Sequence, residues 1–205
     1  MDILEKLFGS AAKVKIIKLF LMNPGLTYDV KDAADRAKVS IGTTRAEIYN
    51  LEKTGFLKTH FYTKEIKRQR NRTIMMMKKR VNGWTLDPKF PYIDAMESFL
   101  SNINPFRHKD IIEKVSRAGK IQLLIISGIF IKYVDARADL LVVGDNLKLG
   151  QLENIIKTIE SEIGKEIRYA VLETSEFKYR HSVFDKLIRD ILDFPHEKII
   201  NKLNL

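Results

Sequence analysis

The sequence predicts an α+β protein built from two small domains, and three observations support this fold class. The chain has 205 residues, a length that suits two domains because single domains usually contain roughly 100 to 150 residues. Three helical patterns and then two strand patterns fill the first half, whereas strands alternate with helices in the second. The excess of positive charge is also confined to one half. We place the boundary near residue 90, with domains at 1–90 and 91–205.

The excess positive charge lies entirely in the first half of the chain. The formal net charge is +10, and residues 1–90 contain 19 Lys and Arg against 9 Asp and Glu, whereas residues 91–205 contain 17 of each. Residues 58–80 contain nine basic residues and the single acid Glu65. A solubilising charge would more often be spread over both halves, so this placement favours a polyanion, in particular nucleic acid, as the partner.

The composition excludes several classes of protein. Because the chain has no cysteine, it has no disulfide, no thiolate metal site and no catalytic thiol. No stretch approaches the roughly 20 apolar residues that a membrane-spanning helix needs. We therefore expect a cytoplasmic protein without a membrane partner.

Two helices are predicted before residue 40. Apolar residues between Leu4 and Leu21 recur at helical spacing and predict a first helix, which ends at the "NPG" of residues 23–25. The stretch "VKDAADRAK" at residues 30–38 predicts a short second helix with a face of small residues.

A third helix is predicted between Ser40 and Gly55. Ser40 is a suitable N-cap, and Gly55 is a suitable end point. A buried stripe at spacing i, i+4, i+7 consists of Thr44, Ile48 and Leu51. The opposite face then presents Ile41, Gly42, Thr43, Arg45, Ala46 and Tyr49.

A β-hairpin with a basic tip is predicted after Gly55. The stretches "FLKTHFYTKEIK" and "RTIMMMKKRVNGWTL" are rich in aromatic and β-branched residues, and the polar "KRQRN" lies between them. The run Met75–Met77 fits strand packing or an exposed methionine better than a metal site, since thioether ligands alone select only soft ions. The four histidines show no metal-ligand spacing.

The order helix, short helix, helix and basic hairpin resembles the winged helix-turn-helix domain of bacterial and archaeal regulators. The resemblance covers roughly residues 8–86, and its most telling stretch is "VKDAADRAKVSIGTTRAEIYNLEKTGFLKTH" at residues 30–60. It implies binding to double-stranded DNA, with the third helix in the major groove. A homodimer is also expected, since one such helix reads too few base pairs and two-fold pairing supplies a second half-site.

The DNA-binding candidates lie on the third helix and around the hairpin tip. Arg45 can pair with guanine O6 and N7, and Thr43 can reach a thymine methyl or a phosphate. Tyr49 is expected to reach a phosphate, and Ser40 completes the set at the start of the helix. Phosphate or minor-groove contacts are expected from Lys64, Lys67, Arg68, Arg70 and Arg72.

The second half is predicted to form one mixed sheet covered by helices. A proline-containing connection surrounding one helical stretch, residues 87–106, separates the halves. Helices are predicted at 111–118, 146–163 and 182–192, and strands at 120–131, 138–144 and 166–173.

This second half resembles minimal nucleotidyltransferase domains, but its motif is degenerate. In that family a strand ends in Gly-Ser, the next strand carries Asp-x-Asp, and a later strand adds a carboxylate; together these groups hold divalent metals and the triphosphate. Here the strand ends in Ser127-Gly128, and Asp139 is the only acid in Arg137-Ala138-Asp139. The later strand has Arg168 and apolar or aromatic residues at its centre. The resemblance therefore implies a pseudoenzyme with no catalytic residue, metal or cofactor.

A domain without catalytic activity can still bind a ligand or a second copy of the chain. Arg137 is expected to pair with Asp139 or Asp135; as an alternative it binds an anion. The candidate site for a nucleotide or phosphate ligand consists of Ser127, Gly128, Lys132, Arg137 and Asp139.

The expected function is that of a DNA-binding transcription regulator. An active nucleotidyltransferase that modifies a protein or RNA is the alternative, with Asp135 restoring a pair of acids after a register change. A third hypothesis is an RNA-binding adaptor, because a basic hairpin does not by itself distinguish DNA from RNA.

Overall fold

The computed structural model describes residues 3–70, 73–102 and 108–205, without the side chains of residues 66–75, 101 and 102. The predicted α+β class is confirmed, with helices and two sheets. Unit 1 comprises Met1–Ile103 with Glu160–Lys165, and unit 2 comprises Asn104–Ile159 with Glu166–Leu205. Residues 91–103, assigned above to the second domain, fall in unit 1. Among the described residues, no helix has both the length and the apolar character to cross a bilayer.

Unit 1 begins with two helices where the sequence predicted one. The turn between them uses Gly9, whose φ of +78° favours glycine. Ser10 then caps the second helix by accepting a hydrogen bond from the Lys13 N–H at 3.2 Å. The prediction of one continuous helix is therefore wrong, because a cap and a left-handed glycine interrupt the apolar pattern. The helices are α1 (Ile3–Phe8) and α2 (Ala11–Leu21).

The next two helices lie close to where they were predicted, at α3 (Val30–Ala37) and α4 (Ile41–Lys53). Asp29 caps α3 by accepting from the Asp32 N–H at 2.8 Å, and Ser40 caps α4 by accepting from the Thr43 N–H at 3.2 Å. The predicted buried stripe of α4 is confirmed and consists of Thr44, Ile48 and Leu51. It packs into a core that also includes Ile16, Phe20, Ala33, Ala37, Phe56 and Leu57.

A long β-hairpin follows α4, as predicted. Its strands are β1 (Leu57–Arg70) and β2 (Thr73–Leu86), which pair antiparallel from Leu57 opposite Leu86 to Arg70 opposite Thr73. At the base, the backbones of Tyr28 and Trp84 exchange hydrogen bonds of 3.0 and 2.9 Å. Gly83 permits this close packing, since a Cβ there would lie 2.7 Å from the side chains of Thr27 and Tyr62. Helix α5 (Ile93–Asn102) follows the hairpin.

Unit 2 contains a four-stranded mixed sheet with strand order β5-β4-β3-β6. Strand β3 is antiparallel to β4 and β6, while β4 and β5 are parallel and are connected through α7. The elements are α6 (His108–Ser116), β3 (Lys120–Ser127), β4 (Leu140–Asp145), α7 (Leu149–Ile163), β5 (Tyr169–Glu173), α8 (Thr174–Ser182), α9 (Lys186–Asp193) and β6 (His196–Asn201). The end of α7, from Glu160, belongs to unit 1.

Three features of unit 2 differ from the sequence prediction. The first strand ends at Ser127 instead of continuing to residue 131, because Gly128 has a φ of +54° and starts a short 3-10 turn at Gly128–Phe130. Helix α8 and strand β6 were not predicted. Strand β6 has the mixed sequence "HEKIIN" and lies at the edge of the sheet, so it lacks the continuous apolar pattern of the central strands.

Candidate nucleic-acid interface and the Asp139 corner

The face of α4 opposite the core is exposed along its length. All six residues predicted to face outward are exposed: Ile41, Gly42, Thr43, Arg45, Ala46 and Tyr49. The Lys53 Nζ lies 4.4 Å from the centre of the Tyr49 ring, an attractive cation–π contact. Ser40 Oγ lies 2.8 Å from Thr43 Oγ1, so both hydroxyls take part in the helix cap. The face can accept an external partner without any change in α4.

A hairpin arm extends from the base of β1 and β2, and its described residues are 61–70 and 73–82. Its described cations include three consecutive residues of β2, Lys78, Lys79 and Arg80, all exposed. Side chains on a strand alternate between faces, so these three place positive charge on both faces of the arm. They were not among the residues predicted to bind DNA, although a run of three cations in a strand is visible in the sequence. The side chains of the predicted contacts Lys67, Arg68, Arg70 and Arg72 lie outside the described residues.

Lys64 is held by two carboxylates of unit 1. Its Nζ lies 2.8 Å from Asp29 Oδ2 and 2.5 Å from both carboxylate oxygens of Asp32. The Tyr62 hydroxyl donates to Asp32 Oδ2 at 3.3 Å. These contacts tie the arm to the start of α3, while the phosphate contact predicted for Lys64 stays a prediction.

Asp29 and Lys64 stabilise each other in their charged forms. Burial of Asp29 raises its pKa, but hydrogen bonds from Lys64 and from the Asp32 N–H outweigh burial, and the net pKa is lowered. Burial likewise lowers the pKa of Lys64, but its bonds to Asp29 and Asp32 raise it above the ordinary value. The partly buried pair is therefore charged at neutral pH.

Replacing Lys64 with glutamine should lower the free energy of unfolding by about 1 to 2 kcal/mol at pH 7, because two carboxylates lose a charged donor. Because the folded pKa of Asp29 is depressed, its contribution is present above about pH 4 and is lost as the pH falls through that folded pKa. The difference between the two proteins should therefore shrink in acid. Urea denaturation at pH 7 and pH 3 checks this.

Lys79→Gln is the matched control for Lys64→Gln. Lys79 lies directly opposite Lys64 in the hairpin register and is exposed, so the same charge is removed without breaking the carboxylate cluster. Its effect on unfolding should stay within roughly 0.5 kcal/mol. Equal losses in the two variants would contradict the structural role of Lys64.

The predicted ligand corner of unit 2 is centred on a buried aspartate. The Asp139 side chain is 4% exposed. Its Oδ1 accepts from the Ile129 N–H at 3.0 Å and from Arg168 Nη2 at 3.1 Å, and its Oδ2 accepts from the Arg168 N–H at 2.9 Å and from Arg168 Nε at 3.1 Å. A carboxylate has about four lone-pair sites, and N–H donors occupy all four here.

Arg168 was not predicted to be the partner of Asp139. It lies just before β5, where the nucleotidyltransferase resemblance placed a third carboxylate. The hydrogen bonds that Arg168 donates to Asp139 raise the pKa of Arg168, against a smaller lowering by burial. A bidentate arginine thus stands beside Asp139 where a metal site would need a second acid.

The remaining corner residues also serve the fold. Arg137 pairs with Asp190, at 3.6 Å from Nε to Oδ2, so the predicted pairing with Asp139 or Asp135 is wrong. The buried Ser127 hydroxyl donates to the Ala138 carbonyl oxygen. At Gly128 a Cβ would lie 1.9 Å from Asp139 Oδ1, so only glycine fits there.

The described residues of this corner do not form a metal cluster. Lys132 and Asp135 are exposed on the loop before β4. Within residues 3–70, 73–102 and 108–205, no group of three His, Asp or Glu side chains is placed to hold a metal ion. The five predicted ligand-site residues thus lie on neighbouring segments, but the polar groups of Ser127 and Asp139 are already engaged.

Comparison of the chain with protein-family models, curated proteins and solved structures finds no significant match. The resemblances to winged helices and nucleotidyltransferases therefore stay predictions from residue motifs.

Proposed function

We propose that the chain is a transcription regulator whose unit 1 binds double-stranded DNA as a winged helix-turn-helix domain. The observation that carries the proposal is the combination, within one unit, of an exposed α4 face and a cationic hairpin arm. The major groove of B-DNA is about 12 Å wide and admits a helix, while arm cations suit the phosphate backbone. In this arrangement α4 supplies sequence readout and the arm supplies affinity.

The residues at the start of α4 suit direct base readout. Arg45 is exposed on the second turn and can donate two hydrogen bonds to guanine O6 and N7. Ile41 is 49% exposed, and an apolar side chain there can contact a thymine methyl group. An exposed arginine beside an exposed isoleucine thus offers one polar and one apolar contact to base edges.

Unit 2 is proposed to be a nucleotidyltransferase-like domain without transferase activity. All four acceptor positions of Asp139 are occupied by N–H donors, and metal binding would have to break the contact with Arg168. A role in self-association remains for this unit, and a second copy would supply the second α4 that a two-fold DNA site needs. Phosphate-ligand sensing is the other proposed role, with the exposed Arg137 and Lys132 as its cations.

Arg45→Ala should reduce the discrimination between a selected duplex and a shuffled duplex by about 5- to 150-fold, because one bidentate base contact is worth about 1 to 3 kcal/mol. The selected duplex is obtained by enrichment from a random pool with the intact protein. Fluorescence anisotropy then gives both dissociation constants. Arg117→Ala removes the same charge from an exposed position in unit 2 and should leave the ratio unchanged. An unaltered ratio in Arg45→Ala would contradict base readout by this residue.

A further inference from the structure

We propose that unit 1 contains a binding site for a small zwitterion with an apolar side chain, the chemistry of a free apolar amino acid. The site is a cavity of about 610 Å³. It lies between the loop after α2, the start of α5 and the hairpin base, which comprises residues 57–60 and 83–86. Ligand pockets in proteins measure about 300 to 1,000 Å³. The inference goes beyond the proposed DNA binding of unit 1 and does not depend on it.

The first wall of the cavity is one face of the hairpin base. Lys58 and His60 line the cavity and lie two residues apart on β1, so they share a face. Thr85 lies directly opposite Lys58 in the register, so its side chain lies on the same face. Gly83, opposite His60, has no side chain, which lets Thr27 of the loop after α2 pack against the strand. This wall thus carries an ammonium group, an imidazole and two hydroxyls.

The second wall is the segment that connects β2 to α5, and it is mainly apolar. Its apolar members are Pro88, Phe90, Pro91 and Ile93, and Pro24 of the loop after α2 adds to this surface. The three prolines are exposed, so apolar surface remains accessible to a ligand. Small-molecule pockets typically combine an apolar lining with a few polar groups that orient the ligand. The two walls of this cavity provide both.

Contacts within unit 1 hold the second wall in place without a ligand. The Asp87 N–H donates to the Phe56 carbonyl oxygen at 3.0 Å, and the Phe90 N–H donates to the Asp87 carbonyl oxygen at 3.0 Å. The Phe90 ring lies edge-on to the rings of Phe56 and Tyr92, at 5.4 and 5.7 Å between centroids. The prolines restrict the backbone further, since a proline ring fixes φ. A preformed site of this kind loses little affinity to the ordering of its own residues.

The donors of the first wall suit a ligand carboxylate. Lys58 Nζ lies 3.6 Å from Asp87 Oδ1, and the Lys58 side chain is 47% exposed. An exposed ion pair of this kind is weak, and an ammonium group has three donors. Lys58 can therefore pair with a ligand carboxylate in addition to Asp87 or in its place. His60 is exposed on the same face and can donate a further hydrogen bond to that carboxylate.

An acid at the start of α5 favours a zwitterion over a simple anion. Asp94 lines the cavity, lies in the first turn of α5 and is exposed. A ligand with a carboxylate alone would be repelled by Asp94 and Asp87, whereas a ligand that also has an ammonium group would pair with Asp94. The cavity thus has cationic donors on one wall and a carboxylate on the other, and the apolar surface of Phe90 and the prolines is available to the ligand side chain.

The inference is tested by NMR titration of the intact protein with L-phenylalanine, with L-leucine and with two fragments of L-phenylalanine. At least one of the two amino acids should bind with a dissociation constant on the order of 1 mM or below. 3-Phenylpropionate lacks the ammonium group and 2-phenylethylamine lacks the carboxylate, so each should bind at least about 10-fold more weakly than L-phenylalanine. A ligand that binds only the folded state also raises the Tm, which thermal unfolding with about 10 mM amino acid measures independently.

Two substitutions separate the two ends of the ligand. Lys58→Gln should weaken the binding of the amino acid at least about 10-fold and leave 2-phenylethylamine unchanged. Asp94→Asn should weaken the amino acid by a similar factor but should not weaken 3-phenylpropionate. Lys89→Gln and Glu97→Gln are the matched controls, because both residues are exposed nearby in the chain and lie outside the cavity lining. Both control variants should bind the amino acid as the wild type does.

Three outcomes would overturn the inference. The first is that neither amino acid binds at about 10 mM. The second is undiminished binding in both Lys58→Gln and Asp94→Asn, which would place the ligand outside this cavity. The third is that 3-phenylpropionate binds as tightly as L-phenylalanine, which would show that Asp94 does not pair with the ammonium group. These experiments use no DNA, so their failure would leave the proposed DNA binding of unit 1 unaffected.

Discussion

Replacing Lys78, Lys79 and Arg80 together by glutamine should weaken binding to duplex DNA on the order of 100-fold near 150 mM salt. Each protein cation that neutralises a phosphate releases condensed counterions, which gives a slope of about −0.9 per contact in log affinity against log salt. Three lost contacts should thus reduce the magnitude of the slope by roughly 2.7. All three side chains are exposed, and β-hairpin pairing does not depend on their charge. The effect should be similar for specific and non-specific duplexes.

The control for this triple variant removes the same charge elsewhere. Lys148, Lys157 and Lys186 are exposed in unit 2, and their replacement by glutamine should change the slope by less than about one. Fluorescence anisotropy between 50 and 400 mM salt measures both variants beside wild type, and circular dichroism confirms that they fold. A triple arm variant with the wild-type slope would show that these cations do not contact phosphate.

Replacing Asp139 with alanine should lower the free energy of unfolding by about 2 to 3 kcal/mol. The change leaves the Ile129 N–H and the Arg168 N–H without their acceptor and removes the partner of the Arg168 guanidinium. Breaking a fully buried pair costs about 3 to 5 kcal/mol, but the Arg168 side chain is 55% exposed and can return to water. The expected loss is therefore below that range.

Asp193→Ala is the matched control for Asp139→Ala. Asp193 and Arg189 form an exposed pair, at 3.9 Å between Oδ2 and Nε, and such a pair contributes less than about 1 kcal/mol. Urea denaturation measures the stability of each variant, and transfer of label from a nucleoside triphosphate in the presence of Mg²⁺ measures activity. A stable Asp139→Ala protein that has lost a metal-dependent transfer present in the wild type would restore the enzyme interpretation.

Local spacing was sufficient to predict the α4 face and the hairpin. Helical periodicity determines which residues share a face, so Thr44, Ile48 and Leu51 could be assigned to the core, and Arg45 to the surface, without a structure. Ser40 was predicted as a cap because a serine at that spacing satisfies an N–H of the first turn. The composition of the two stretches after Gly55 was enough to predict the strand pair.

The ion pairs could not be predicted in the same way. Lys64 meets Asp29 and Asp32 only because the hairpin folds back on the start of α3, and Arg168 meets Asp139 only because β4 and β5 are neighbours in the sheet. Such contacts depend on the position of whole elements, which periodicity does not give. For the same reason the aspartate partner of Arg137, which is Asp190, could not be chosen from the sequence.

The most direct test of DNA binding is a titration of the intact protein with a labelled genomic duplex pool across a salt series, in competition with structured RNA. The account predicts tight binding at low salt, a linear fall of log affinity with log salt, and displacement by unlabelled duplex DNA but not by RNA. No binding at 50 mM salt, or displacement by RNA in preference to duplex DNA, would contradict it.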